Sequence, residues 1–188
     1  MKREGLFYFM AKPKPNTIKP VLPKKEEQRP IEIYFNRLDA SHQQPLNRTL
    51  HIISILLMIF SILGIAWAIP FPTLKFLGAY NSYFNWYSFV IAVAIYFYLK
   101  LTPLLSYIML LVMFVLSYGV MQLAAWQALG GPALWMISLG LFILSWIGQY
   151  AGSKIEGNPQ SFKDDLQLAF VTPLWAMYNI FKKIGLKY

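Results

Sequence analysis

The sequence predicts an all-α fold, an integral membrane bundle of about four transmembrane helices followed by a C-terminal amphipathic or re-entrant helix. Three observations predict it. The 188 residues are 57% hydrophobic and 13% charged, against about 25% charged in an ordinary soluble domain, so the apolar side chains exceed what one small core can hide. Charged residues leave three long gaps, 49–74, 76–99 and 101–153. The runs inside those gaps do not alternate in polarity as barrel strands would, which leaves helices as the spanning element.

Each element follows in order. Crossing a hydrocarbon core of ~30 Å takes about 20 helical residues. The first two gaps hold one span each, and the third is long enough for two. Its break falls at Gln127-Ala128-Leu129-Gly130-Gly131-Pro132, where two glycines and a proline end one helix and open the next. The spans lie near 52–69, 84–99, 104–126 and 133–150. Aromatics gather where interfaces are expected, at Tyr80, Tyr83, Trp86 and Tyr87, at Tyr96 and Tyr98, and at Trp126, Trp135 and Trp146, as amphipathic rings prefer the headgroup level. Residues 162–184 form an interfacial helix, bounded by Asp164-Asp165 and Lys182-Lys183 with Pro173 inside, and Ser161 to Asp164 has the spacing of a helix start.

Charge sets the orientation. Of the seventeen Lys and Arg residues, an inside amino terminus leaves only Lys75 outside, so both termini are expected in the cytoplasm, of a bacterial inner membrane or of the endoplasmic reticulum. Residues 1–34 read as a basic, proline-rich cytoplasmic arm attracted to anionic membrane lipid. The net charge is +9, but the basic residues are concentrated outside the apolar part of the chain, ten of the seventeen preceding His51, so no nucleic-acid partner is expected. The run Leu6-Phe7-Tyr8-Phe9-Met10 is shorter than the h-region of a signal peptide, so the segment is expected to be retained. With no cysteine, disulfides, thiolate nucleophiles and thiolate metal sites are excluded.

Two polar clusters could carry chemistry. One runs from His42 to His51 before the first span, the other from Trp146 to Gly157 at the end of the fourth. With four spans both fall on one membrane face. His42 and His51 are nine residues apart, on opposite sides of a single helix, so they meet only if the chain turns between them. Pro45 offers that break, and a helix starting near it stacks Asn47 and His51 at i and i+4. Gln149, Ser153 and Glu156 likewise share a face. Each residue also has a plainer reading: boundary histidines are commonly interfacial, Gln149 suits an interhelical hydrogen bond, and Glu156 suits a solvated loop.

His42, Pro45, Asn47 and His51, then Trp146, Gln149, Gly152 and Glu156, with Pro159, Asp165, Leu168 and Pro173-Leu174 in the last segment, resemble the fungal 2-hydroxy-palmitate dioxygenase family and its bacterial membrane relatives. The resemblance runs from about Phe35 to Phe181. It implies a membrane-embedded Fe(II)-dependent enzyme of fatty acid α-oxidation, taking a 2-hydroxy fatty acid and dioxygen to a fatty acid one carbon shorter. It implies His42, His51 and Glu156 as metal ligands, Asn47 and Gln149 as catalytic residues, and Arg48 and Lys154 as holders of the substrate carboxylate. One position departs: Ser153 stands where the family motif has another histidine. Either the metal is held with fewer nitrogen ligands, or the chain is a catalytically silent homologue that binds lipid or a partner.

Overall fold

The computed structural model describes residues 30–157, 162–183 and 185. The basic arm up to residue 29, Pro159 and the Ser161 helix start fall outside the described residues. Among the described residues all regular structure is helical: α1 (Pro30–Ser41), α2 (Pro45–Ala68), a 3-10 segment (Lys75–Tyr83), α3 (Trp86–Leu101), α4 (Pro103–Ala128), α5 (Leu134–Glu156) and α6 (Phe162–Lys183).

Local chemistry sets the boundaries. Gln44 is extended (φ −72°, ψ 124°) immediately before Pro45, which occupies the first turn of α2, as the proline ring requires of its predecessor. Asn85 caps α3 by accepting from the Ser88 N–H at 3.0 Å, and Thr102 caps α4 by accepting from that of Leu105 at 3.3 Å, with Pro103 next in line. Between α4 and α5 the chain turns through Gly130 at φ 91°, a left-handed conformation that favours glycine. There Gln127 Oε1 accepts from the Leu134 N–H at 2.6 Å.

α2, α4 and α5 are each long and apolar enough to cross a membrane. α3, with 16 residues, reaches only ~24 Å at ~1.5 Å per residue. It makes a fourth span only together with the 3-10 segment, from which it is bent by 85°. Leu111, Phe114, Ile143, Leu144 and Ile147 are exposed, an outward apolar belt that soluble monomers rarely carry and that suits lipid.

The tightest pairing is antiparallel, α2 against α5. The buried positions include Asn47, Ser54 and Ser61 on α2 and Ser138, Ser145 and Gly152 on α5, two stripes of small or polar residues each spaced by seven. Such residues let backbones approach closely where lipid supplies no hydrophobic drive between helices. A methyl group at Gly148 would strike Ser54, and one at Gly152 would strike the Asn47 side chain.

α6 packs against α1, α2 and α4. Every residue from Val171 to Met177 is buried, and Ile31, Phe35 and Leu38 of α1 join this part of the core. Its middle is therefore enclosed by protein, while Lys182 and Lys183 at its end stay exposed. α1 begins within the stretch that the sequence assigns to the arm, because Ile31, Phe35 and Leu38 lie at i, i+4 and i+7 and cover α6.

Gly152→Ala should lower stability by roughly 1–3 kcal/mol, as over-packing does. Gly140→Ala, with open space around it, should be neutral or stabilising by up to ~1 kcal/mol through helix propensity. Thermal unfolding in detergent compares the two; equal effects would rule out close approach of α2 and α5 as the cause.

Candidate functional site

The two polar clusters meet where the amino end of α2 faces the carboxyl end of α5. Glu156 Oε1 accepts from the Gln43 N–H at 2.8 Å, and Oε2 accepts from the Gln44 N–H at 3.2 Å and from Asn47 Nδ2 at 2.8 Å. Gln44, the cap residue of α2, makes no side-chain cap bond of its own. Glu156 thus does from a neighbouring helix what the acidic member of a capping box does within one, taking the N–H at the head of α2.

The break at Pro45 turns the chain between α1, which packs against α6, and α2, and it brings the two histidine rings together. Their centroids are 4.3 Å apart and their planes are inclined by 59°. His42 is buried, and its Nδ1 lies 2.8 Å from the Leu38 carbonyl and 3.0 Å from Ser41 Oγ. A protonated Nδ1 donating to that carbonyl leaves Nε2 as the nitrogen that would face an ion.

Around the pair stands a network absent from the expected site. Trp175 of α6, fully buried, lies 5.1 Å from the His42 ring and 6.4 Å from that of His51. Its Nε1–H donates to Asp39 at 2.9 Å. Arg48 donates to the same Asp39 oxygen at 2.7 Å and to Asn179 Oδ1, and its guanidinium lies 5.2 Å from the Trp175 ring centroid. Asn179 in turn donates to the Trp175 carbonyl at 2.9 Å. Asp39, Trp175 and Asn179 were missed in the sequence. Their signal is helical spacing alone: Asp39 stands three residues before His42, and Trp175 and Asn179 are four apart on α6.

The remaining expected residues fall around this centre unevenly. Asn47 is buried and joined to Glu156, whereas Gln149 Nε2 reaches only the Met58 sulfur at 3.7 Å. Ser153 Oγ turns back to the Gln149 carbonyl at 3.1 Å. Arg48 is shared between Asp39, Asn179 and Trp175. Lys154 is exposed, with its ammonium 4.9 Å from the Tyr150 ring on its own helix.

Ferrous iron prefers imidazole and carboxylate donors with open positions. The histidine pair supplies the nitrogen half of such a set. Its carboxylate half is not assembled here: to serve, Glu156 would have to give up or share its three N–H donors, and Asp39 is engaged by Arg48 and Trp175. Among the described residues no three His, Cys, Asp or Glu side chains group around a common point. Buried polar atoms without hydrogen-bond partners do flank the site, Asn47 Oδ1 and Arg48 Nε, with Ser138 Oγ further along α5.

An all-helical chain with three or four potential spans and a dihistidine cluster at one end of the bundle is the class that fold and site define. The chain belongs to the Mpo1-like family, described as 2-hydroxy-palmitic acid dioxygenase Mpo1-like, whose model matches residues 29–184. No curated protein and no solved structure matches it.

Removing the Glu156 carboxylate should loosen the head of α2 from α5, because the amide of the buried Asn47 loses its acceptor, and an unsatisfied buried donor is costly. Glu156→Ala should lower the thermal midpoint more than Lys154→Ala, and Glu156→Gln should fall between. Equal midpoints for Glu156→Ala and Lys154→Ala would show that the cap contributes nothing.

Proposed function

We propose that this protein is a membrane-embedded dioxygenase of 2-hydroxy fatty acids, with His42 and His51 as nitrogen donors to a ferrous ion. The observation that supports it is the meeting of the two histidines, the only two in the chain, at 4.3 Å in a family of this description. Bound iron would supply the dioxygen chemistry. The chain's own residues do the rest: the apolar belt keeps an acyl chain in lipid, Arg48, one turn before His51, carries the positive charge nearest the pair in sequence, and Trp175 closes the side toward α6 against water. Membrane lipid and a 2-hydroxy fatty acid are the proposed partners, and both termini are cytoplasmic, as the charge asymmetry requires.

A silent homologue that keeps the fold for lipid or partner binding is the second reading. Two features favour it: the carboxylate that would complete the set accepts from three N–H donors, and Ser153 stands where the motif of the resemblance has a histidine.

Elemental analysis after anaerobic loading in detergent, with oxygen uptake on a 2-hydroxy fatty acid, separates the readings. Wild type should hold iron and consume oxygen, His51→Ala should lose both, and Ser153→His should bind more tightly. Iron in Ser153→His alone would establish the silent reading, and iron in none of the three would end the metal hypothesis. Independently, reporter fusions at Pro132 should read extracytoplasmic and those at Gly157 cytoplasmic; a cytoplasmic signal at Pro132 would overturn the orientation.

A further inference from the structure

The ring cluster and the charged cluster have the same composition by helix. α2 contributes His51 and Arg48, α6 contributes Trp175 and Asn179, and the chain leaving α1 contributes His42, with Asp39 in the last turn of that helix. Rings form one layer and hydrogen-bonding ends the other. Trp175 belongs to both, since its ring lies against both imidazoles while its N–H donates to Asp39.

We propose that Trp175, oriented by Asp39, is the positioning residue that holds the His42 and His51 rings against each other. The inference takes the histidine pair of the proposed function as the site and concerns how its geometry is kept. Packing alone does not demand a tryptophan here, because a Phe or Leu would also fill buried space. The indole adds a directed N–H, and a buried tryptophan N–H finds an acceptor. Asp39 accepts it at 2.9 Å and is itself held by Arg48 at 2.7 Å, so the plane of the ring is fixed from its polar edge. The imidazoles then meet a wall that cannot rotate. Residues that orient a ligand histidine from behind ordinarily act through a hydrogen bond to the ring; here Leu38 and Ser41 take that part for His42, and Trp175 adds a steric stop shared by both rings.

Because the chain has only two histidines, histidine-selective ring labelling gives two sets of signals, and any histidine-to-histidine cross-relaxation peak reports the distance between His42 and His51. The experiment uses metal-free full-length protein in detergent. Wild type should show the peak. Trp175→Phe, which keeps a ring but loses the N–H, and Asp39→Leu, which keeps the indole but removes its acceptor, should lose or weaken it while thermal unfolding stays cooperative. Asp39→Asn, which retains an acceptor oxygen, should keep it. Should Trp175→Leu fail to fold, the Phe and Asp39 variants decide. A wild-type peak in folded Trp175→Phe and Asp39→Leu would overturn the proposal, since a purely space-filling role leaves the inter-ring distance unchanged. In protein loaded anaerobically with ferrous ion, Trp175→Phe should bind roughly tenfold more weakly, and equal affinity would also overturn it. If wild type takes up no iron, the dioxygenase reading fails while the ring-to-ring peak still tests the role of Trp175.

Discussion

A helix that opens on proline has no N–H at its first position, and the donors just before it need acceptors from elsewhere. At the head of α2 the acceptor is Glu156, reaching over from the last residue of α5 to take the N–H groups of Gln43 and Gln44 and the Asn47 amide. Much of the site depends on this one carboxylate. It anchors the turn after His42, across which α1 packs on α6 and His42 meets His51. It also sets the register of α5 on α2, and with it the alignment of the two stripes of small residues. The same engagement means that Glu156 could serve an ion only by giving up or sharing its cap donors.

The packing below the cap obeys membrane rules more than those of a soluble core. Polar or small residues recur every seven positions on both α2 and α5, a 3.5-residue period that keeps one seam in contact along slightly supercoiled helices. Ser61 returns its hydroxyl to the Leu57 carbonyl at 2.6 Å and Ser145 to the Phe142 carbonyl at 2.7 Å, so these side chains meet their hydrogen-bond needs within their own helix and offer little bulk to the other. On the far side of α2 the core is conventional and large-residued, with Trp175, Leu174 and Met109 fully enclosed.

How much of this was legible in the sequence differs by element. The apolar runs were legible because a span needs length and lack of charge, both one-dimensional properties. α2, α4 and α5 begin and end within a few residues of the expected spans, except that α2 runs seven residues earlier and α5 six later, where polar residues continue the helices past the apolar stretch. The turn at Pro45 was legible because proline acts on its immediate neighbour. The partner of Glu156 was not, since nothing local distinguishes a solvated carboxylate from one capping a helix more than a hundred residues away. Trp175 was hidden similarly: in a segment rich in aromatics, one ring that donates to Asp39 looks like any other. α1 carried a readable apolar spacing at Ile31, Phe35 and Leu38, masked by the prolines and charges of the arm around it.

Gly152 and Glu156 are four residues apart and therefore stacked on one face of α5, and Asn47 touches both. Its amide has two unlike ends, and a carboxylate accepts only from the donor end, so Nδ2 turns to Glu156 and Oδ1 is left facing Gly152. Asn47 Oδ1 is one of the buried atoms without a hydrogen-bond partner. A Cβ at Gly152 would collide with it, so the glycine hydrogen standing there points at that oxygen, a weak contact worth ~0.5–1 kcal/mol. The glycine is required twice, to let α5 approach and to admit an amide turned this way. Position 153 lies about 100° further round the helix, with its hydroxyl bonded to the Gln149 carbonyl. A substitution at position 153 would therefore leave the clamp of Gly152, Glu156 and Asn47 intact. The clamp that joins α2 to α5 is independent of the side chain at position 153, and a substitution there need not loosen the two helices.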